Sequence, residues 1–459
     1  MPRPSGVTGW GSWRRWAPWA RYASVALAVA VLLAAAGLIG YRVLAPAEMR
    51  SPARTPYPTR GPSATGVISE LWRTPLIVDD RLRVFAGPRQ VWADGPAASR
   101  TETTPYWSFR RWPQEVTGVV LAPGAVVSEW SDGVLVALDT GTGEVRWRTG
   151  PRPDGRAGYA GRRTGAATVY AAPTLAVAGS VVVSLDSAAA RGYDTATGRQ
   201  LWRHELGDCP GGGWSVPGGY ALACADLVLL DPANGRELRR WRPPGAGDGW
   251  RAEPVACVVG RSDCRALRTQ DSAGGRTQGW LVGEGGAVTA APALASPTAW
   301  LAGDIVVEPA AAGGPGGPPA PAGPSGPSAS VGPSAGPAGE VGGLVARRVG
   351  TGEPVWTWAP GGSADRSPAT VLAAGPDVLY LLTQQRTLVG IDPASGHELT
   401  RFTLDRWRNI SAATPGWRPG HAYVKDRYLV VERLHPSGDP ADDDNRYYYS
   451  LRTVLVTAW

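Results

Sequence analysis

With 61 Gly and 43 Pro in 459 residues and only 19% of them charged, the chain reads as many short segments joined by tight turns, not as a coiled coil or a highly charged disordered polymer. The formal charge of +7 is uneven: residues 1–41 hold four Arg and no acid, and the remainder sets 42 basic against 39 acidic residues. A near-balanced body with no basic run is a poor match to nucleic acid.

Residues 1–22 place Trp10, Trp13, Trp16 and Trp19 among Arg14, Arg15 and Arg21. That pattern suits an interfacial anchor on an inner leaflet or a cytoplasmic tail beside a span. From Ala23 to Tyr41 no charge occurs over 19 residues. At 1.5 Å per residue this reaches about 28 Å, the thickness of a hydrocarbon core. Tyr22 and Tyr41 stand where an aromatic belt belongs. The stretch is read as an uncleaved signal anchor; a cleaved signal peptide is the rival reading. Basic residues flank it on both sides (Arg42, Arg50, Arg54 and Arg60 follow it), but the N-terminal cluster is nearer. The expectation is therefore a single pass in the cell membrane, N-terminus inside and the body extracytoplasmic. Residues 42–65 are Pro-rich and predict a semi-rigid stalk.

A repeat organises residues 66–459. Its clearest copy runs from an apolar strand, residues 134–138, through Asp139 and Gly143 to Trp147. The Asp carboxylate can accept turn N–H groups as an Asx-turn does, and Gly supplies a positive φ that closes the hairpin. Asp194, Gly198 and Trp202 repeat the device. Asp231 and Gly235, and Asp392 and Gly396, repeat the turn with Pro after the Asp, and the aromatic moves two residues on, to Trp241 and Phe402. Two residues along a strand is the same face, so the packing role is expected to survive. A fifth copy keeps Gly352 and Trp356 but has Arg348 in place of Asp.

The spacings are 55, 37 and 44 residues, and the gap of 117 from Asp231 to Arg348 contains a low-complexity insert at 310–340. Without the insert that gap is two periods, so a blade lacking the Asp–Gly turn is expected near 250–291. A period of this length in an all-strand pattern marks a β-propeller of four-stranded blades. Seven blades, or eight, follow from the copies together with the unsigned segments 66–115 and 415–459. One of those segments supplies a strand to close the ring, which leaves no unpaired edge at the seam. The fold class is all-β, preceded by one transmembrane helix.

Apolar run, Asp, three residues, Gly, three residues, Trp resembles the repeat of pyrroloquinoline-quinone-type, quinoprotein-dehydrogenase-like propellers of bacteria. It is similar both to bacterial outer-membrane assembly lipoproteins and to the quinone enzymes. The enzymes hold their cofactor under two adjacent cysteines, with calcium and an acidic base. No two cysteines are adjacent here, so no cofactor, metal or catalytic residue is assigned.

Cys209, Cys224, Cys257 and Cys264 form an even set, and the local scheme pairs 209 with 224 and 257 with 264. Zinc is disfavoured because no Cys-x-x-Cys occurs and only His204 is near. His204, His397, His421 and His435 are scattered. The run from Asp439 to Asp444 lacks calcium-loop spacing, and Asn409 heads a formal glycosylation sequon. The functional expectation is a non-catalytic platform in the cell envelope, binding a protein or a wall-associated ligand and held in the membrane by the stretch from Ala23 to Tyr41. The alternatives are a quinone-dependent oxidoreductase and an envelope ligand sensor.

Overall fold

The computed structural model describes residues 18–44, 47–61, 65–152, 158–161, 169–207, 209, 212–272, 276–310, 343–359, 369–404, 417–434 and 454–458. Trp10, Trp13, Trp16, the insert at 313–339, Asn409, His435 and the acidic run at 439–444 lie outside them. The chain divides into a unit of residues 1–47 and a unit of residues 48–459.

The first unit contains one helix, Pro18–Leu44, of 27 residues. Among the described residues no helix is long and apolar enough to cross a membrane. The transmembrane helix expected over 23–41 is thus not shown; an N-terminal helix runs through that stretch.

Among the described residues the second unit contains eight antiparallel sheets. Sheet 1 comprises Leu76–Val78, Leu82–Gly87, Gln90–Asp94 and Trp107–Trp112, with Ala47–Ser51 added beyond the last. Sheets 2, 3 and 4 run from Val116 to Arg148, Leu175 to Glu205 and Gly213 to Trp241. Sheet 5 spans Arg251 to Ala290 and has no Asp–Gly turn before its last strand. Sheets 6 and 7 run from Trp300 to Trp358 and from Ala369 to Thr403. Sheet 8 joins the two ends of the unit: Gly66–Leu71 pairs antiparallel with Val454–Ala458, followed by Tyr428–Leu434 and Arg418–Lys425. Segment 66–115 thus both closes the seam and builds sheet 1.

Each apolar cluster bridges two successive sheets. Val116, Trp130 and Phe109 join sheets 1 and 2; Val120, Trp147 and Val182 join 2 and 3; Tyr220, Val183 and Trp202 join 3 and 4. The pattern continues through Trp214 with Trp280, Val255 with Leu301, and Leu344 with Leu379. It closes through Leu382 with Leu429, and Tyr428 with Phe85. The clusters therefore run in a ring, the arrangement of a β-propeller. The first strands of neighbouring sheets touch, as Val116–Ala122 and Gly213–Val216 each do with Leu175–Ala178. First strands therefore line the axis, and fourth strands such as Glu237–Trp241 face outward and are mostly exposed.

The repeat residues couple one sheet to the next. Trp147 Nε1 donates to Thr195 O at 2.9 Å, and a Cβ at Gly198 would lie 2.5 Å from that indole. Trp202 Nε1 donates to Pro232 O at 2.6 Å above Gly235, and Trp356 Nε1 to Pro393 O at 2.8 Å above Gly396. Each indole thus docks on the turn of the following sheet, and the turn Gly is required by contact as well as by its φ of about +70°. Trp107, which the repeat pattern does not mark, performs the same task for sheet 1: its Nε1 donates to Thr140 O at 3.0 Å, and Gly143 lies against its ring.

Trp241 and Phe402 still pack towards the following sheet but make no such dock. Trp241 meets Trp280 edge-on, ring centres 4.9 Å apart, because the turn before the last strand of sheet 5, through Glu284–Gly286, lacks the Asp–Gly signature. Gly352 keeps its positive φ with no atom within 4 Å of a Cβ built on it. The last strand of sheet 5, Val288–Ala290, has no indole to place there.

Within the stretch expected as a semi-rigid stalk, residues 47–61 lie along sheets 8, 1 and 2. Ala53 N donates to Thr142 O at 2.8 Å, Tyr106 Oη to Thr55 O at 2.8 Å, and Arg427 Nη2 to Gly61 O at 2.8 Å. Proline leaves the carbonyls free to accept, so a Pro-rich segment can still be fastened to a surface.

Candidate functional site: the ring axis

The inner edges of the eight first strands would present unpaired backbone groups to the axis, and buried groups of that kind demand partners. A hairpin from sheet 5 supplies them. It leaves Arg251–Val255, turns through Ala256 at φ 54° and Gly260 at φ 77°, and returns through Ser262 and Asp263, both left-handed, to Ala266–Gln270. The Cys257–Cys264 disulfide staples its base, and Val258 N bonds Ser262 O at 2.5 Å within it.

Four sheets receive this hairpin. Leu121 N of sheet 2 donates to Gly260 O at 2.6 Å, and Val177 N of sheet 3 to Arg261 O at 3.1 Å. Sheet 4 grips it through Ser215, whose Oγ accepts from Asp263 N at 2.7 Å and whose carbonyl accepts from Cys264 N at 2.7 Å. A Cβ at Gly260 would lie 2.8 Å from Leu76 of sheet 1, so Gly is required there. Val259 packs against the clusters shared by sheets 8, 1 and 2. A loop born in sheet 5 and bonded to sheets 2, 3 and 4 crosses the axis. The ring is cross-braced by its own chain.

Beside the hairpin a cavity of about 110 Å³ remains, walled by the first strands of sheets 5 to 8. Glu253, Arg268, Trp300, Ala374 and Tyr423 line it, and Cys257 belongs to its lining. Arg268 Nε donates to Leu294 O at 2.9 Å and Nη2 to Ala299 O, fixing the segment that leads into sheet 6. Burial pulls the Arg268 guanidinium below its ordinary range. Tyr423 Oη donates to Pro75 O across the seam, and burial pushes its phenol far up.

The second disulfide, Cys209–Cys224, lies at the cluster between sheets 3 and 4, and no described cysteine is free. The repeat carboxylates stay at their turns. Asp139 Oδ1 accepts from Gly141 N and Thr142 N at 2.9 and 2.8 Å, while Arg146 binds Oδ2. Burial would raise the Asp139 carboxyl, but Arg146 and Thr142 outweigh it and hold the group below the usual range. Asp194 is held low by the Thr197 hydroxyl and backbone N–H, and Asp392 by the Ser395 hydroxyl and Ala394 N–H. Asp231 accepts from Ala233 N at 2.8 Å. His204, His397 and His421 fall on three different sheets or their turns. Among the described residues no three metal-ligating side chains converge.

The hairpin and Arg268 escaped sequence reading as parts of one site. A Cys pair seven residues apart signals a local hairpin, but nothing in the spacing says that it points inward.

Residues 69–216 match the protein family described as outer membrane protein assembly factor BamB. No curated protein matches the chain. Among solved structures the chain is similar to BamB from Moraxella catarrhalis, at 13% identity and TM-score 0.41, covering 88% of this chain and 100% of that one. It is similar also to the computationally designed Ika8 protein, at 14% identity and TM-score 0.42, covering 86% and 98%. A third likeness is to a quinohemoprotein alcohol dehydrogenase from Pseudomonas putida, at 13% identity and TM-score 0.36, covering 84% and 72%.

Proposed function

We propose that this chain is a non-catalytic binding platform of the cell envelope, a propeller anchored by its N-terminal helix and facing the extracytoplasmic side. The observation that carries the reading is the hairpin across the axis. A ring-centred quinone would need that volume, and here it is filled by backbone bonded to sheets 2, 3 and 4. What remains open for a large partner is the outside of the ring: its turns, faces and fourth strands.

Two features support the compartment and the anchor. Both cysteine pairs are disulfides, which persist in oxidising surroundings. The side chains of Val25, Leu27, Leu32 and Leu33 are 61–69% exposed, on all sides of the helix. A helix apolar all round requires an apolar medium.

The test is a titration of the purified full chain with pyrroloquinoline quinone, with and without calcium, alongside dye-linked oxidation of alcohols and sugars. No saturable binding and no turnover are expected. Stoichiometric quinone binding at micromolar concentration would return the chain to the oxidoreductases.

A further inference from the structure

Four arginines are buried in the described ring: Arg83, Arg191, Arg268 and Arg433. Three are neutralised. Arg83 pairs with Asp94 at 2.7 Å, Arg433 with Glu70 at 3.3 Å, and Arg191 with Asp186. Arg268 makes no direct ion pair among the described residues: its hydrogen-bond partners, the Leu294 and Ala299 carbonyls, are neutral, and Glu253 across the ladder acts on it only through its charge. Buried charges are ordinarily paired, because an unpaired one forfeits hydration without recompense.

This guanidinium, without a contact ion pair, is also the one that lines the axial cavity. With Nε and Nη2 committed, Nη1 bonds no described protein group. Glu253 lines the same cavity directly across the ladder from Arg268, and its charge acts on the guanidinium without a direct ion pair. Trp300 and Tyr423 give the walls apolar surface. At 110 Å³ the cavity has room for roughly seven to eleven waters, the size of a molecule of three or four carbons.

We propose that the axial cavity is a binding site for a small amino or hydroxy carboxylic acid. The ligand carboxylate meets Arg268 in a charge-assisted hydrogen bond, the strong kind. The ligand's ammonium or hydroxyl donates to Glu253. A bare anion would feel Glu253 as repulsion, so the pair of wall charges selects ligands that carry a donor beside their carboxylate. The hairpin makes the cavity a dead end on that side, because Cys257 and Val259 stand in its lining.

The site is distinct from any protein-binding surface of the ring. Its test uses the purified chain with no partner present, so this proposal and the platform reading fail separately. Full-length protein in detergent is titrated with glycine, lactate, acetate, lactamide and inorganic phosphate, followed by calorimetry and Trp fluorescence. Saturable binding of glycine or lactate is expected, with lactamide and phosphate weaker by about tenfold or more. Arg268→Gln is expected to weaken the acids by a similar factor. Because that change also frees two carbonyls, Ala374→Leu serves as a second variant that fills the cavity and should abolish binding with melting preserved. Glu253→Gln should weaken glycine while improving acetate. Equal affinity for lactate and lactamide, binding that survives Ala374→Leu, phosphate as tight as lactate, or no saturation by any acid would each overturn the assignment.

Discussion

The docked indole divides the work at each turn between two residues of different sheets. Gly198 and Gly352 share a φ near +70°, yet only Gly198 lies against a ring, that of Trp147. Gly352→Ala is therefore expected to cost only the left-handed penalty of about 1–2 kcal/mol. Gly198→Ala adds a clash with Trp147 and should cost about 1–3 kcal/mol more. Denaturant midpoints of the two variants check the difference, and equal losses would deny the dock any energetic role. The carboxylates of the same turns respond to acid. Asp194 and Asp392 are held below the ordinary range by hydroxyl and N–H donors. A depressed folded-state pKa contributes stability that is fully present above the unfolded value of about 3.9 and is lost as pH falls through the folded value. Melting temperature should thus fall on acidification below about pH 4. Asp194→Asn, which keeps one oxygen acceptor and cannot titrate, should flatten part of that fall.

At the scale of elements, two connections of unusual length behave differently. The insert between Ile305–Pro309 and Leu344–Arg348 leaves its sheet between strands that pair directly, and Ala310 N bonds Gly343 O at 2.9 Å just beyond them. The ladder already holds both ends together. Replacing residues 313–339 by a short Gly-Ser turn is therefore expected to leave the melting temperature within a few degrees, since halving a loop changes closure entropy by only about 0.6 kcal/mol. A large drop would mean that the insert packs. The axial hairpin is the opposite case. It closes only a short loop, yet its backbone is bonded to three other sheets. Changing Cys257 and Cys264 together to Ala should cost about 2–3 kcal/mol by loop entropy, less than the loss from removing the hairpin itself. Urea denaturation of the double variant, with a hairpin-deleted chain beside it, separates the two contributions.

On the scale of the whole molecule, the seam and the helix set the questions. Gly66–Leu71 pairs with Val454–Ala458, so the ring is shut by strands from the two ends of one unit. Segment 47–61 is fastened to sheets 8, 1 and 2, leaving residues 45–46 between the helix and the first ring strand. If the helix anchors the chain as proposed, protease added to intact spheroplasts should remove the ring and leave a short N-terminal fragment in the membrane. Protection of a C-terminal tag until permeabilisation would place the ring on the other side.

By itself the sequence determined the repeat: alternating apolar strands, Asp and Gly at turns and an aromatic on the return strand are local signals, readable because each acts within about ten residues. The pairing of neighbouring cysteines was legible for the same reason. Only the tertiary structure decided what those signals serve. Trp147 and Gly198 lie far apart in sequence and meet because successive sheets stack, while Trp107 docks without any local mark. The inward course of the Cys257–Cys264 hairpin and the fastening of residues 47–61 depend on partners 46 or more residues away. Contacts across a ring leave no periodic trace in the chain, because their spacing is set by the circuit of sheets and not by the geometry of any one strand.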